Sequence, residues 1–168
     1  MSKLPAILYV DDEKLSHLIF RAVFEDDYEI HTALSAREGL EILRREPIQL
    51  LITDQCMPDM TGAELLAAIR DEFPAIGRVM LSAYSDIDAV IQAINAGRVD
   101  RYVSKPWEGD ELKAVIDRVL EESDRRMRHE RMIEELRQEA AREKALRRKF
   151  QQYVPAEVLA ELKIEDQG

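Results

Sequence analysis

Leu50-Leu51-Ile52-Thr53-Asp54 is a short apolar run that ends in a carboxylate. The residues after it, Gln55-Cys56-Met57-Pro58-Asp59-Met60-Thr61-Gly62, are rich in turn formers and lead into an amphipathic helical pattern. A short unbroken apolar run suits a strand buried on both faces, as in a parallel sheet. An aspartate at the carboxyl end of such a strand stands where open α/β sheets place their ligands. Asp54 is therefore a candidate nucleophile.

The flanking segments repeat the alternation. Upstream, Ala6–Val10 is another continuous apolar run, closed by Asp11-Asp12-Glu13. Helix spacing follows, with Leu15, Leu18, Ile19, Ala22 and Val23 expected on one face. Glu29–Ala33 reads as a shorter strand. Ser35 is an expected N-cap with Glu38 as its capping-box partner, and that helix uses Leu40, Ile42 and Leu43 before Pro47. The central strand is expected over Ile48–Thr53, and Thr61 caps the helix carrying Leu65, Leu66 and Ile69. Arg78–Leu81 is a fourth strand. Ser85 or Asp86 is expected to cap the next helix, with Ile87, Val90, Ile91 and Ile94, which Asn95-Ala96-Gly97 closes. Arg101–Val103 is the fifth strand, ahead of Ser104-Lys105-Pro106-Trp107. Five strands alternating with five helices predict a doubly wound parallel α/β sheet with right-handed crossovers. All five loops after the strands then open on one edge.

Composition agrees. Of 168 residues, 35% are charged and 46% hydrophobic, and the net charge is -10. The excess charge is local: residues 121–150 hold 8 acids and 10 bases, whereas residues 1–120 hold 22 acids and 13 bases. An acidic first domain argues against a nucleic-acid groove, which needs Lys and Arg, and suits a site for a divalent cation. One cysteine, Cys56, allows no internal disulfide. With no secretory pattern and no long apolar run, a soluble cytoplasmic protein with no membrane contact is expected.

At the strand ends stand Asp11 and Asp12, then Asp54, Ser82 and Lys105. Taken singly, each has a plain reading: an N-cap, a turn, an uninformative serine, a solvated lysine. Together and in order they supply one chemistry. Three converging carboxylates repel one another unless a counter-charge joins them. Mg²⁺ is content with two carboxylates, waters and a phosphate. An aspartate is a covalent nucleophile for phosphoryl groups. The oxygens of a transferred phosphoryl group need stabilisation from a cation and an ammonium, here Lys105, with Ser82 donating to a third oxygen.

Over about residues 5–121 the chain resembles the receiver domain of two-component response regulators. The resemblance rests on Val10-Asp11-Asp12-Glu13, Thr53–Gly62, Leu81-Ser82-Ala83 and Tyr102-Val103-Ser104-Lys105-Pro106-Trp107. It implies a flavodoxin-like five-stranded sheet of order 2-1-3-4-5. It also implies that Asp54 is the phosphoacceptor, receiving its phosphoryl group from a sensor histidine kinase. Asp11, Asp12, Asp54 and the backbone carbonyl of Cys56 would hold Mg²⁺, and Lys105 would pair with the phosphoryl oxygens. Ser82 would be the switch hydroxyl, Tyr102 the aromatic rotamer switch, and the bond before Pro106 cis. Cys56 and Tyr84 occupy positions whose side chains influence water attack on the acyl phosphate. A bulky Tyr84 is expected to screen it, the alternative being a Tyr84 turned to solvent; Cys56 reads as an inert small residue rather than a redox sensor.

From Glu111 to about Phe150 the chain has neither Gly nor Pro. The first third, with Leu112, Val115, Ile116, Val119 and Leu120, reads as a docked helix. Met132, Leu136, Leu146, Phe150 and Tyr153 keep a 4-3 spacing interrupted by Glu139 and Glu143 at the seam. Residues 122–153 are thus expected to form a coiled-coil linker and a homodimer, the alternative being a single solvated helix. Residues 154–168 are expected to form a short last helix or the start of an output domain. Leu146–Leu159 resembles the lead-in to a class III nucleotide cyclase; diguanylate cyclase, phosphodiesterase and transcriptional outputs stay open. Two other functions compete: a phosphatase of the haloacid dehalogenase type, which wants an aspartate where Cys56 stands, and a coiled-coil assembly protein with a vestigial receiver.

Overall fold

The chain alternates strand and helix from Ala6 onward, and the computed structural model describes residues 3–155 apart from Gly97, together with Glu157, Val158 and Ala160. The expected helix closure at Gly97, the Tyr84 side chain and most of the expected last segment lie outside the described residues. The elements in chain order are β1 (Ala6–Val10), α1 (Lys14–Phe24), β2 (Glu29–Ala33), α2 (Ala36–Arg45), β3 (Leu50–Asp54) and α3 (Gly62–Glu72). Then come β4 (Gly77–Ser82), a 3₁₀ turn (Tyr84–Asp86), α4 (Ile87–Asn95), β5 (Arg101–Ser104) and α5 (Gly109–Tyr153). The five strands form one parallel sheet of order β2-β1-β3-β4-β5. This is the flavodoxin-like arrangement, with its switch point between β1 and β3.

Every residue of β1, β3 and β4 is buried, which is why these strands read as apolar runs without alternation. Successive side chains point to opposite faces. Leu8, Val10, Leu51 and Met80 pack with Leu65, Leu66 and Ile69 of α3, Ile42 and Leu43 of α2, and Val90 of α4. Ile7, Tyr9, Leu50, Ile52, Val79 and Leu81 pack with Phe20 and Phe24 of α1 and with Leu112, Ile116 and Val119 of α5. Each fully buried side chain of this kind contributes roughly 1.5–3 kcal/mol.

Helix starts follow their caps. Thr61 accepts from the Glu64 N–H while Glu64 accepts from the Thr61 N–H, a complete capping box. Ser35 caps α2, but the Glu38 carboxylate reaches the N–H of Leu34 rather than that of Ser35.

Three further expectations need correction. β3 begins at Leu50, not Ile48, because the chain after Pro47 turns through hydrogen bonds from Ile48 N–H to Glu46 and from Gln49 N–H to Ala6. The face of α1 carrying Leu15, Leu18, Ile19, Ala22 and Val23 is exposed; Phe20 and Phe24 face the sheet instead. The helix has two apolar stripes; in the aromatic one Phe20 stacks on Tyr9 and meets Trp107 edge-on, and Phe24 packs at a tilt against Trp107. Finally, neither Ser85 nor Asp86 caps α4: Asp86 occupies the N-cap position without a side-chain cap bond.

At the edge opposite the strand carboxyl ends, a polar clamp holds α5. The Ser123 hydroxyl lies 2.7 Å from the Ala75 carbonyl and 3.1 Å from that of Gln49. Arg126 donates to Asp100 through two nitrogens at 3.0 and 3.2 Å, and buried Arg78 lies 3.7 Å from the same carboxylate. These contacts belong to a first compact unit, Met1–Met127; residues from Arg128 onward form a second. In the second unit Met132, Ile133, Leu136, Leu146, Phe150 and Tyr153 are exposed. Among the described residues no helix is long and apolar enough to cross a membrane.

Candidate functional site

Parallel pairing brings the carboxyl ends of β1, β3, β4 and β5 to one edge of the sheet. Asp54 pairs with Leu81, and Ser82 pairs with Ser104 just before Lys105. The Lys105 N–H donates to the Ser82 carbonyl at 2.9 Å, and the Asp11 N–H to the Ala33 carbonyl at 3.1 Å. The Lys105–Pro106 peptide bond is cis.

Asp11 and Asp54 are buried, and Asp12 is exposed beside them. One carboxylate oxygen from each of the three lies within 4.8 Å of the others. The Lys105 ammonium sits among them, 2.7 Å from Asp54 Oδ1 and 3.2 Å from Asp11 Oδ2. Burial pushes the Asp54 carboxyl above the usual carboxylate range, Asp11 pushes the same way, and Lys105 opposes both. Desolvation pulls the Lys105 ammonium down, but its bonds to Asp54 and Asp11 outweigh that and hold it above its ordinary value.

The carbonyl side of Asp54 is fixed by close packing. A Cβ on Gly62 would run into the Asp54 carbonyl oxygen, so only glycine fits there. The Gly62 N–H donates to the Gln55 carbonyl, and the Gln55 side-chain oxygen accepts from the Ala63 N–H. The start of α3 is thereby tied to the end of β3.

The donor set suits a hard cation. Three carboxylates with oxygens this close match the Mg²⁺ preference for oxygen ligands at roughly 2.0–2.1 Å, which places opposed donors about 4 Å apart. Asp11, Asp12 and Asp54 could hold such an ion, whose two charges and that of the Lys105 ammonium would together balance the three carboxylates. Ser82 is fully buried, and its hydroxyl lies 3.0 Å from Asp86 Oδ2 and 3.1 Å from the Ala83 carbonyl. The Tyr102 hydroxyl reaches the Ser82 carbonyl at 3.4 Å. Cys56 is a free, exposed thiol 3.4 Å from Asp86 Oδ2. Desolvation and Asp86 push its pKa up, away from the reactive thiolate.

Sequence reasoning missed three residues here. Tyr9 looked like one more apolar strand residue, yet its buried hydroxyl donates to Asp11 Oδ2 at 2.8 Å. Burial and the neighbouring Asp11 raise its pKa, so it remains a donor. His17 Nε2 lies 2.7 Å from the Asp11 carbonyl. The signal for both was spacing: one is two residues before Asp11, the other one helical turn into α1. Asp86 read as a cap and is instead a partner of Ser82 and Cys56.

A family model for the response regulator receiver domain matches residues 7–117. The hydrogenase transcriptional regulatory protein HoxA of Cupriavidus necator is 33% identical over 119 residues, 71% of this chain and 25% of its own length. The alginate biosynthesis transcriptional regulatory protein AlgB of Pseudomonas aeruginosa is 33% identical over 134 residues, 79% of this chain and 30% of its own. The chain thus spans about a quarter to a third of the length of these relatives. Among solved structures, a response regulator receiver domain protein from Clostridium thermocellum superposes with TM-score 0.69 at 30% identity, covering 72% of this chain and 98% of its own. An adenylate cyclase from Rhodopirellula baltica superposes with TM-score 0.75 at 26% identity, covering 78% and 98%. With its sheet order, its strand-end acids and this match over most of its length, the chain belongs to the response regulator receiver family, the regulatory part of two-component signalling.

Proposed function

We propose that Asp54 is the phosphoacceptor of this receiver and that its modification sets the state of the chain. The observation that carries this is the shared ammonium: Lys105 lies within bonding distance of both Asp54 and Asp11, inside a cluster of three carboxylates. Receiver domains take their phosphoryl group from sensor histidine kinases. In this reading an Asp54 oxygen forms the new bond to phosphorus as the bond from phosphorus to the kinase histidine nitrogen breaks. Asp11, Asp12, Asp54 and the Cys56 carbonyl would hold Mg²⁺, which would supply charge stabilisation to the phosphoryl oxygens. Lys105 transfers its bond from the Asp54 carboxylate to the phosphoryl group. Ser82 donates a hydrogen bond to another phosphoryl oxygen, and Tyr102 responds to the movement of the Ser82 loop. Cys56 and Tyr84, two positions after Asp54 and Ser82 in the sequence, are the residues proposed to set the lifetime of the acyl phosphate.

The exposed apolar face of α1, Leu15, Leu18, Ile19 and Val23, supports a kinase partner, because a patch of this kind beside the site marks a protein contact. A haloacid dehalogenase type of phosphatase is not favoured: Cys56 occupies the place of its acid, and that thiol is held by Asp86.

We further infer that residues 5–121 are the receiver, 122–153 a dimeric helical linker and 154–168 the lead-in to an output. The exposed apolar side chains from Met132 to Tyr153 support the dimer. A nucleotide cyclase output draws support from the Rhodopirellula baltica neighbour, and a transcriptional one from HoxA and AlgB.

Labelling with acetyl phosphate tests the core of the reading. Wild type should incorporate phosphate in Mg²⁺ and lose the capacity in EDTA, and Asp54→Ala should incorporate none. Equal labelling of Asp54→Ala would contradict it.

A further inference from the structure

Asp86 breaks a local rule. It stands at the N-cap position of α4, where a carboxylate normally accepts from the free N–H groups of the first turn and contributes about 1 kcal/mol. It accepts none of them. Its Oδ2 instead takes the Ser82 hydroxyl at 3.0 Å and the Cys56 thiol at 3.4 Å. One carboxylate oxygen therefore ties the loop after β3 to the loop after β4, on the rim of the phosphoacceptor site.

Ser82 has one hydroxyl proton to give. Its acceptors here are Asp86 and the neighbouring Ala83 carbonyl at 3.1 Å. A hydrogen bond to an ionised acceptor is the stronger of two such choices. A phosphoryl group on Asp54 can accept that hydrogen bond only after Asp86 has given it up. Asp86, then facing added negative charge, is repelled from the same rim. The N–H groups of the first turn of α4, which its side chain does not now cap, offer it an alternative within its own turn. Both arrangements satisfy the carboxylate, which is what a two-state element requires.

We propose that Asp86 is an inhibitory latch: it holds Ser82 and Cys56 in the unmodified state, and moves to cap α4 when Ser82 turns to the phosphoryl group. This rests on the phosphoacceptor reading and extends it to a residue outside the strand-end set. Asp86 touches no reacting atom and acts as a positioning residue through Ser82. Its release also explains how chemistry at Asp54 reaches α4, whose Ile87, Ile91 and Ile94 are exposed.

The test is a double-mutant cycle read by beryllofluoride binding in Mg²⁺, followed by calorimetry on the whole chain. Asp86→Ala removes the competing acceptor and should tighten binding about tenfold, the worth of one charge-assisted hydrogen bond. Asp86→Asn keeps an uncharged acceptor and should give a smaller gain, which also guards against a folding defect in the alanine variant. In a Ser82→Ala background the gain from Asp86→Ala should vanish. An unchanged affinity in Asp86→Ala, with wild type binding normally, overturns the latch alone. So does an equal gain with and without Ser82, which would report only a removed negative charge. Failure of wild type to bind beryllofluoride at all overturns the phosphoacceptor reading and the latch with it.

Discussion

Asp54 is a carboxylate that its surroundings make reluctant to ionise, with Lys105 as the main opposing influence. A carboxyl whose pKa is raised on folding binds its proton more tightly in the folded state. Stability therefore falls as pH rises from the ordinary carboxylate pKa through the raised one, and the cost persists above it. Asp54→Asn should accordingly stabilise the metal-free protein at neutral pH by about 1 kcal/mol, as substitutions at functional sites often do. That gain should disappear below about pH 4; urea melts across pH would show it. Lys105→Ala should slow Mg²⁺-dependent labelling by about 100-fold, the usual loss when one preorganised charge donor is removed. Asp11, Asp54, Ser82 and Lys105 were legible in the sequence because each ends a strand or directly follows one, and strand ends are easy to find. Tyr9 and Asp86 were not. A buried tyrosine reads as core until its hydroxyl has a partner, and an aspartate before a helix reads as a cap until its carboxylate is seen elsewhere.

Among the elements, α1 shows where periodicity stops being informative. Leu15, Leu18, Ile19 and Val23 keep helical spacing, and so do Phe20 and Phe24; only the aromatic stack with Tyr9 and Trp107 decides which stripe turns inward. Leu18→Ser should therefore shift stability by no more than about 0.5 kcal/mol while slowing transfer from a kinase, whereas Phe20→Ala should cost about 4 kcal/mol. Denaturant titration and phosphotransfer assays separate the two effects. The clamp on α5 was invisible in the sequence, because its partners come from the loop after α3, the start of β4 and the loop before β5. Asp100 serves both Arg78 and Arg126, and Arg78 Nε and Nη1 have no partner among the described residues. Asp100→Ala should cost about 3 kcal/mol by leaving the buried Arg78 uncompensated. Arg78→Met should be close to neutral, since Asp100 retains Arg126. Chemical unfolding of both variants would rank them.

At the scale of the whole molecule, the doubly wound parallel sheet was legible, because strands alternating with helices permit few topologies and right-handed crossovers narrow them further; the strand order itself came with the resemblance to receiver domains. The helix of the second unit was legible from its lack of Gly and Pro. Its apolar positions are spaced for a helical seam with Glu139 and Glu143 set into it, and one chain in isolation leaves them exposed. If two copies meet there, Leu136→Glu with Leu146→Glu should convert a dimer to a monomer in sedimentation equilibrium while leaving receiver stability unchanged. A wild-type chain that sediments as a monomer at high concentration would remove the dimer from the scheme.

The proposed switch depends on which atom would receive the phosphoryl group. Borohydride reduction of the labelled protein converts an aspartyl phosphate to homoserine, which peptide sequencing locates. Homoserine at position 54, formed only when Mg²⁺ was present during labelling, is the expected result. Homoserine at another aspartate, or phosphate that resists reduction, would contradict the assignment of Asp54.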